Sequence, residues 1–516
     1  MENKKILQYI LKRQDKKNKL LCSPERLLSN TKVILGIISI SLMTAGFACY
    51  KANARGIVYR NSLEYLQTRA DNPLSGFVPW GGQKVEFPHS MEYYSFPLNI
   101  VQKSYTQFDW SSIETALNNA KNNGNQAIIR FYIDYPGQNT GIPQFLLDNG
   151  LTVYEYDLDG DKGLCPDYND INLQKALINF ITAFGQKYDG DPRIGFIECG
   201  LLGFWGEWHT YPYSEWYPSA DTYKIISTAF DNNFNKTKIM IGEPEICVKD
   251  LSIGYHDDMF IKDTEYYSER LMKNGLGDKW MYEAIGSELA PEIQEYYFEE
   301  PRLFVKNEFN DDDIMSWKEA VSLLHSSWCL NNEIVNYTEE EKINAISAAK
   351  NLGYEFTVTE ALIKQSKSRD NHEDSNGKNS VSNSISDLNN RSSSEVNKND
   401  DWNNSGSGDS LEISVNLKNI GNAPFYYSWN IELKIADDSG MEILRESAPW
   451  DITSVKELNK DYIFTNKINN VNLEKGRKYV ISMKIINPMD GGKNLLFSNK
   501  EQNIDGWLEL IEFTAN

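Results

Sequence analysis

The chain has 516 residues, more than one ordinary domain needs, so two folded units with accessory segments are expected. Its formal net charge is −21, from 52 basic against 73 acidic residues, which excludes a nucleic-acid partner because such a surface repels phosphate. Aromatic residues make up 12%, a content that suits large cores and carbohydrate-facing clefts alike.

A leader rich in Lys and Arg precedes an uncharged run, 33–50, reading VILGIISISLMTAGFACY. Such a run can cross a bilayer as a helix of about 18–20 residues, with its basic side in the cytoplasm. Export is therefore expected, and segment 1–54 is read either as an uncleaved signal anchor or as a signal peptide cut after Ala54. The protein then sits in the cell membrane with its main part outside, or is secreted.

The body alternates strand and helix signals. A turn-rich DNPLSG leads to a short strand ending at Trp80, and 95–101 reads as a second strand. Ser111–Asn122 is capped and helical, and 126–134, QAIIRFYID, is a third strand. Leu173, Leu177, Phe180, Ile181 and Phe184 share one helical face. An apolar fourth strand, 194–202, then runs into FWGEWH, so that Glu207 stands between Trp205 and Trp208 and is followed by His209.

A helix over 220–230 follows, then strands 238–242, 251–256, 281–286 and 325–330, the last containing Trp328. Thr338 and Glu341 form a capping box for a final helix through Leu352. Eight strands alternating with helices predict an α/β fold, a (β/α)8 TIM barrel over 61–352. In such a barrel the active site forms from side chains at the C-terminal ends of the strands.

That placement turns Glu207, after the fourth strand, and Glu288, after the seventh, into a candidate catalytic pair across the barrel mouth. Retaining hydrolysis of a glycosidic bond needs two carboxyls about 5 Å apart, one protonated and one ionised. The flanking indoles would desolvate Glu207 and make it the acid/base, leaving Glu288 as nucleophile. Trp80, Arg130, Trp205, Trp208, His209, Glu243, His256, Asp257 and Trp328 are the expected substrate-binding set. Glu245 and Asp258 are further acids at strand ends, and Arg130 can instead pair with Asp134 inside the barrel. No cofactor is implied. His209, His256 and His325 end strands in this reading, so a metal site with Asp257 is the minor alternative, without HxH or HExxH spacing to support it. Cys199 and Cys247 can be bridged if the chain is exported, or remain buried thiols.

Segment 366–410 is Ser, Asn, Asp and Lys with few apolar residues, and disorder is expected there. Because 354–363 alternates like a strand before it, the stretch reads as an insert within a second domain, 353–516. Period-two runs at Leu411–Leu417, Trp429–Ile435 and Tyr479–Ile485 make that domain an antiparallel β-sandwich. Tyr426, Tyr427 and Trp429 either bind carbohydrate or simply pack.

The segments DNPLSGF, LLGFWGEWH, IGYHDDMF, GSELAPE and NLGYEFTVTEA, followed by VNLKNIGNAPFYYSW, also carry a family resemblance. Together they resemble a bacterial group of exported proteins, the domain-of-unknown-function family 4832 with its companion 4874. The resemblance implies a glycoside-hydrolase-type barrel joined to a β-sandwich and brings no established activity. Acids after strands four and seven are also similar to the arrangement of the large retaining glycosidase clan. Gly206 stands where that clan commonly has Asn. The readings that follow are an exported glycoside hydrolase acting on a poly- or oligosaccharide, a non-catalytic surface protein that binds glycans, and a metal-dependent hydrolase.

Overall fold

The computed structural model describes residues 57–299 apart from 244 and 296, then 315–367 and 408–516. The apolar run 33–50 and nearly all of the polar insert lie outside these residues. Among them, no helix is long and apolar enough to cross a membrane.

The chain opens with β1 (Ile57–Ser62) and then lays down β2 (Gly76–Val78), β3 (Met91–Pro97), α1 (Ser111–Asn122) and β4 (Gln126–Tyr132). A short α2 (Gln144–Asp148) and a hairpin of β5 (Val153–Leu158) and β6 (Asp161–Pro166) precede α3 (Ile171–Tyr188) and β7 (Ile194–Glu198). Next come α4 (Ala220–Asn233), β8 (Ile239–Ile241), β9 (Gly254–Phe260), α5 (Thr264–Lys273), β10 (Ile285–Leu289), α6 (Trp317–Leu324), β11 (Trp328–Leu330) and α7 (Glu339–Ala349).

Eight strands pair in parallel in the order β2, β11, β10, β9, β8, β7, β4, β3. The two ends meet through a parallel bridge between Trp80 and Tyr93, where Gly81 N donates to Tyr93 O at 2.8 Å and Tyr93 N to Pro79 O at 2.9 Å. The result is a nearly closed eight-stranded barrel. It departs from strict alternation, since among the described residues no α-helix joins β2 to β3 and only a 3-10 turn, Ile246–Val248, joins β8 to β9.

Local chemistry explains the helices well. Asp170 caps α3 by accepting from the Asn172 and Leu173 amides, and Leu173, Leu177, Phe180, Ile181 and Phe184 are all buried, as their spacing requires. The capping box of Thr338 and Glu341 is present on α7. Three strands are displaced from their expected positions. The second is Met91–Pro97, not 95–101, because Pro97 turns the chain into the 3-10 turn Leu98–Ile100. Two others, β9 and β10, begin about one turn later than expected, because 279–281 is itself a 3-10 turn and Gly254 starts β9.

Large side chains fill the barrel interior: Met91, Tyr93, Phe196, Met240 and Trp328. Gly286 makes this packing feasible, since a Cβ there would lie 2.4 Å from the Trp328 ring.

Beyond the barrel, β12 (Phe356–Lys367), β13 (Asp409–Asn419), β14 (Ile431–Asp437), β15 (Glu442–Ala448), β16 (Tyr462–Val471), β17 (Lys478–Ile485) and β18 (Leu508–Thr514) build two antiparallel sheets. Their orders are β1, β12, β13, β16 and β15, β14, β17, β18. The segment preceding the barrel thus completes the sandwich, with Ile57 opposite Gln365 and Ser62 opposite Glu360. A boundary at residue 61 cuts through this strand.

The sandwich docks on the N-terminal ends of the barrel strands. Tyr427 Oη donates to Gly195 O and accepts from Lys238 N at 2.9 Å, and Tyr426 Oη donates to Trp280 O at 2.6 Å. Tyr354 Oη reaches Pro73 O at 2.8 Å, and Trp429 is buried. These aromatics therefore hold the two parts together. Tyr427→Phe leaves a strand-start amide and carbonyl without their partner and is expected to cost about 1–3 kcal/mol, read as a lowered midpoint in chemical denaturation.

Candidate active site

At the C-terminal face the barrel delivers a set of acids around one guanidinium. Arg130, on β4, is 2% exposed, and its Nη1 lies 3.1 Å from Glu198 Oε1, 3.2 Å from Glu207 Oε1 and 3.8 Å from Asp258 Oδ1. Glu198 ends β7 and also accepts from the Tyr93 hydroxyl. His256 Nδ1 stands 2.8 Å from Asp258 Oδ1 and 3.4 Å from Glu198 Oε1. The carboxylate oxygens of Glu207, Asp258 and Glu288 come within 4.8 Å of one another. Two three-residue groups, each residue offering one ligand atom, could therefore share a cation: Glu198/His256/Asp258 and Glu207/Asp258/Glu288. Arg130 already supplies positive charge to three of these acids.

The loop after β7 decides what faces the mouth. Leu201, Gly203, Trp205, Gly206 and Trp208 all have positive φ, between 55° and 79°, so the chain reverses repeatedly within eight residues. A Cβ on Gly203 would lie 2.4 Å from His209 O, which makes glycine necessary there. The two indoles consequently part company. Trp205 lines the pocket, whereas Trp208 is buried, with its Nε1 donating to Cys199 O and its ring edge-on to Tyr223 at 4.6 Å. Glu207 is flanked by one accessible indole, not two.

The expected binding residues divide in the same way. Trp80, Arg130, Trp205, Glu207, His209, Glu243 and Glu288 line one pocket of about 530 Å³. His256 is fully buried behind Asp258, and Trp328 lies beneath it with ring centroids 5.1 Å apart, so both form the floor. Asp257 borders the pocket, but its carboxylate accepts from Thr264 Oγ1 at 2.7 Å and Met259 N at 3.1 Å and so fixes the turn into α5. Glu243 pairs with Arg270 at 2.5 Å on the rim. Asp134 accepts from Tyr156 at 2.6 Å instead of meeting Arg130, and burial lifts it to about 7. His325 caps α6 in the left-handed region and stacks on Trp280 at 3.6 Å, at the opposite end of the barrel, so the three-histidine site is not assembled. Cys165, Cys199, Cys247 and Cys329 are free thiols.

Glu198, Tyr93, Asp258, Tyr135, Tyr211 and Arg270 complete the site or its support and were not among the expected binding residues. A glutamate inside the apolar run IGFIECG was the one available signal for Glu198, because a charge in a buried strand needs a partner.

Electrostatics separates the acids. Burial pushes Glu207 up, but the hydrogen bond from His209, 3.4 Å away, and the charge of Arg130 outweigh it, leaving the carboxyl below its ordinary value. Burial lifts Glu288 to about 8, and the charges of Glu207 and Asp258 add to that rise against Arg130. Asp258 is raised by burial and then by Glu207 and Glu198. His209 is raised, because its bond to Glu207 outweighs desolvation.

No protein-family model and no curated protein matches the sequence. Among solved structures the chain is similar to xylanase B from Clostridium stercorarium F9, at 14% identity over 47% of this chain and 78% of that one, with a TM-score of 0.25. It is also similar to xylanase 10B from Thermotoga petrophila RKU-1 in complex with xylobiose, at 10% identity over 47% and 73%, TM-score 0.27. A third is a GH113 β-1,4-mannanase, at 8% identity over 56% and 99%, TM-score 0.28. The barrel assignment rests on strand order and pairing alone.

The raised Glu288 carries a stability consequence. Its folded value of about 8 exceeds the ordinary 4.5, so folding takes up a proton and the native state loses stability as pH rises between those values. Glu288→Gln removes this burden. The variant's thermal midpoint is expected to exceed the native one by a margin that is smallest near pH 4.5 and grows toward pH 8.

Proposed function

We propose that this chain is a retaining glycoside hydrolase acting on a poly- or oligosaccharide, with Glu288 as the proton donor and Glu207 as the nucleophile. The observation that carries this reading is a pair of carboxyls with oxygens within 4.8 Å, one held ionised and one held protonated, in a pocket with aromatic walls. Oxygens no more than 4.8 Å apart suit the ~5 Å spacing of retaining enzymes better than the ~6.5–9.5 Å that leaves room for an attacking water. The roles are the reverse of those suggested by the two-indole environment of Glu207, since Trp208 is turned away and Arg130 and His209 favour the charged form.

In the first step Glu207 attacks the anomeric carbon while Glu288 gives its proton to the departing oxygen, and a glycosyl ester forms on Glu207. In the second, the Glu288 carboxylate takes a proton from water, whose oxygen attacks the anomeric carbon and frees Glu207. Arg130 and His209 stabilise the carboxylate before attack and as it leaves. Trp80, Tyr135 and Trp205 offer the flat apolar faces on which sugar rings stack.

The apolar run 33–50 behind a basic leader supports an exported, membrane-anchored or secreted protein, and the resemblance to family 4832 belongs to the same proposal. Resistance of the chain to carbonate extraction from membranes tests the anchor.

Turnover on a glycan panel is expected to follow a bell-shaped pH profile. The acid limb falls as Glu207 takes up a proton below its ordinary range, and the alkaline limb falls as Glu288 loses its proton near pH 8. Glu288→Gln lowers turnover by about 10²–10⁴-fold and removes the alkaline limb. With an aryl glycoside whose leaving group needs no proton, Glu288→Ala still accumulates glycosyl-enzyme, whereas Glu207→Ala does not. The opposite pattern reverses the roles, and glycan affinity without turnover in the native protein favours a binding protein.

A further inference from the structure

Aromatic surface is exposed very unevenly over this protein. Among the described residues the two most exposed aromatic side chains are Tyr211, at 78%, and Tyr266, at 64%, and both line the pocket that holds Glu207 and Glu288. Single apolar side chains scattered over a surface carry no message, whereas two gathered at one mouth mark a contact surface. Trp80, Tyr135 and Trp205, by contrast, are half-buried in the same pocket. The pocket thus has an inner aromatic wall and an outer aromatic lip.

The strand order places that lip. Glu207 follows β7 and Glu288 lies on β10, so the two acids divide the ring of strands into two arcs. Trp80 and Tyr135 follow β2 and β4, on the arc that runs through β11, β2, β3 and β4. Tyr266 stands in the first turn of α5, after β9, on the other arc, and Tyr211 closes that arc four residues beyond Glu207. Arg270, one turn further along α5, steadies this side: it pairs with Glu243 at 2.5 Å and holds its guanidinium 5.9 Å from the centre of the Tyr266 ring. A glycan whose cleaved bond lies between the two acids reaches both arcs, and on the second it passes the exposed tyrosines.

We propose that Tyr211 and Tyr266 form a further sugar subsite, over which the glycan chain leaves the pocket across the β7–β9 side. The inference rests on the glycoside-hydrolase reading and narrows its substrate class to an extended glycan chain, in place of a single glycosyl group on a small alcohol. Tyrosine suits this task, because its flat ring stacks on the C–H face of a sugar while its hydroxyl stays wet. Binding energy gathered there, away from the reacting carbon, helps hold the cleaved bond in register with the acids.

The test measures kcat/KM of the full-length protein on end-labelled oligosaccharides, from disaccharide to hexasaccharide, of α-glucan, β-glucan, xylan, mannan, galactan and chitin. On the series that is cleaved, kcat/KM is expected to rise about tenfold at the length where the chain first reaches the lip. In Tyr211→Ala/Tyr266→Ala the ratio between long and short chains falls toward one, and Tyr211→Phe/Tyr266→Phe restores it, since the ring and not the hydroxyl does the stacking. Both side chains are exposed, so these changes leave the core packing intact. Cleavage that does not depend on chain length, a length dependence that survives the double alanine variant, or phenylalanine failing to restore it overturns the subsite while the hydrolase reading stands. Cleavage of no member of the panel overturns both.

Discussion

One buried guanidinium governs this molecule's chemistry. Arg130 is almost fully enclosed, and a single nitrogen serves Glu198 and Glu207 closely and Asp258 at longer range. A lone charge at such a depth would be costly, as would any of the acids without it. Because the positive charge is one and the nearby carboxyls are several, it cannot neutralise them all. Glu207, in direct contact with it, is favoured as the anion, while Glu288, reached only by longer-range attraction and repelled by its neighbours, keeps a proton to about pH 8. Unequal access to Arg130 thus divides labour between chemically similar side chains.

The surrounding architecture exists to hold that inequality in place. The Trp328 and His256 rings and the Tyr93 hydroxyl form a floor under Glu198 and Asp258, so that Glu198 is buried among them while Asp258 faces the pocket. Glycine at 286 admits the indole, and glycines at 203 and 206 let the loop fold back so that Glu207 reaches Arg130. The far end of the barrel is closed by the sandwich through Tyr354, Tyr426 and Tyr427, and its interior packing continues into the sandwich core. The first and last segments of the described unit, β1 and β18, both belong to that sandwich.

Much of the fold was legible because the patterns are local. The helical face from Leu173 to Phe184, the cap at Thr338 and the alternation after Leu411 each follow from short-range spacing, and the structure has them. The strand count was legible for the same reason. Register was not, since a strand's inward face changes with each residue of displacement. Asp257 was the expected pocket acid and Asp258 is the one beside Glu207. His256 shares Asp258's inward parity and so falls in the floor. Trp208 was misplaced because left-handed residues in the loop send adjacent side chains in unrelated directions, which no periodicity encodes. The pairing of β1 with β12 joins residues about three hundred positions apart, beyond any local signal.

The central claim is that Glu288 is protonated and Glu207 ionised at neutral pH, and a carbon-13 NMR titration of labelled glutamate side-chain carboxyls reads this directly. Resonances are assigned by their loss in Glu288→Gln and Glu207→Gln. The account predicts a Glu288 carboxyl that titrates near pH 8 and a Glu207 carboxyl that stays ionised down to below 4.5. A Glu288 signal already ionised at pH 6, or a Glu207 signal still protonated there, contradicts it.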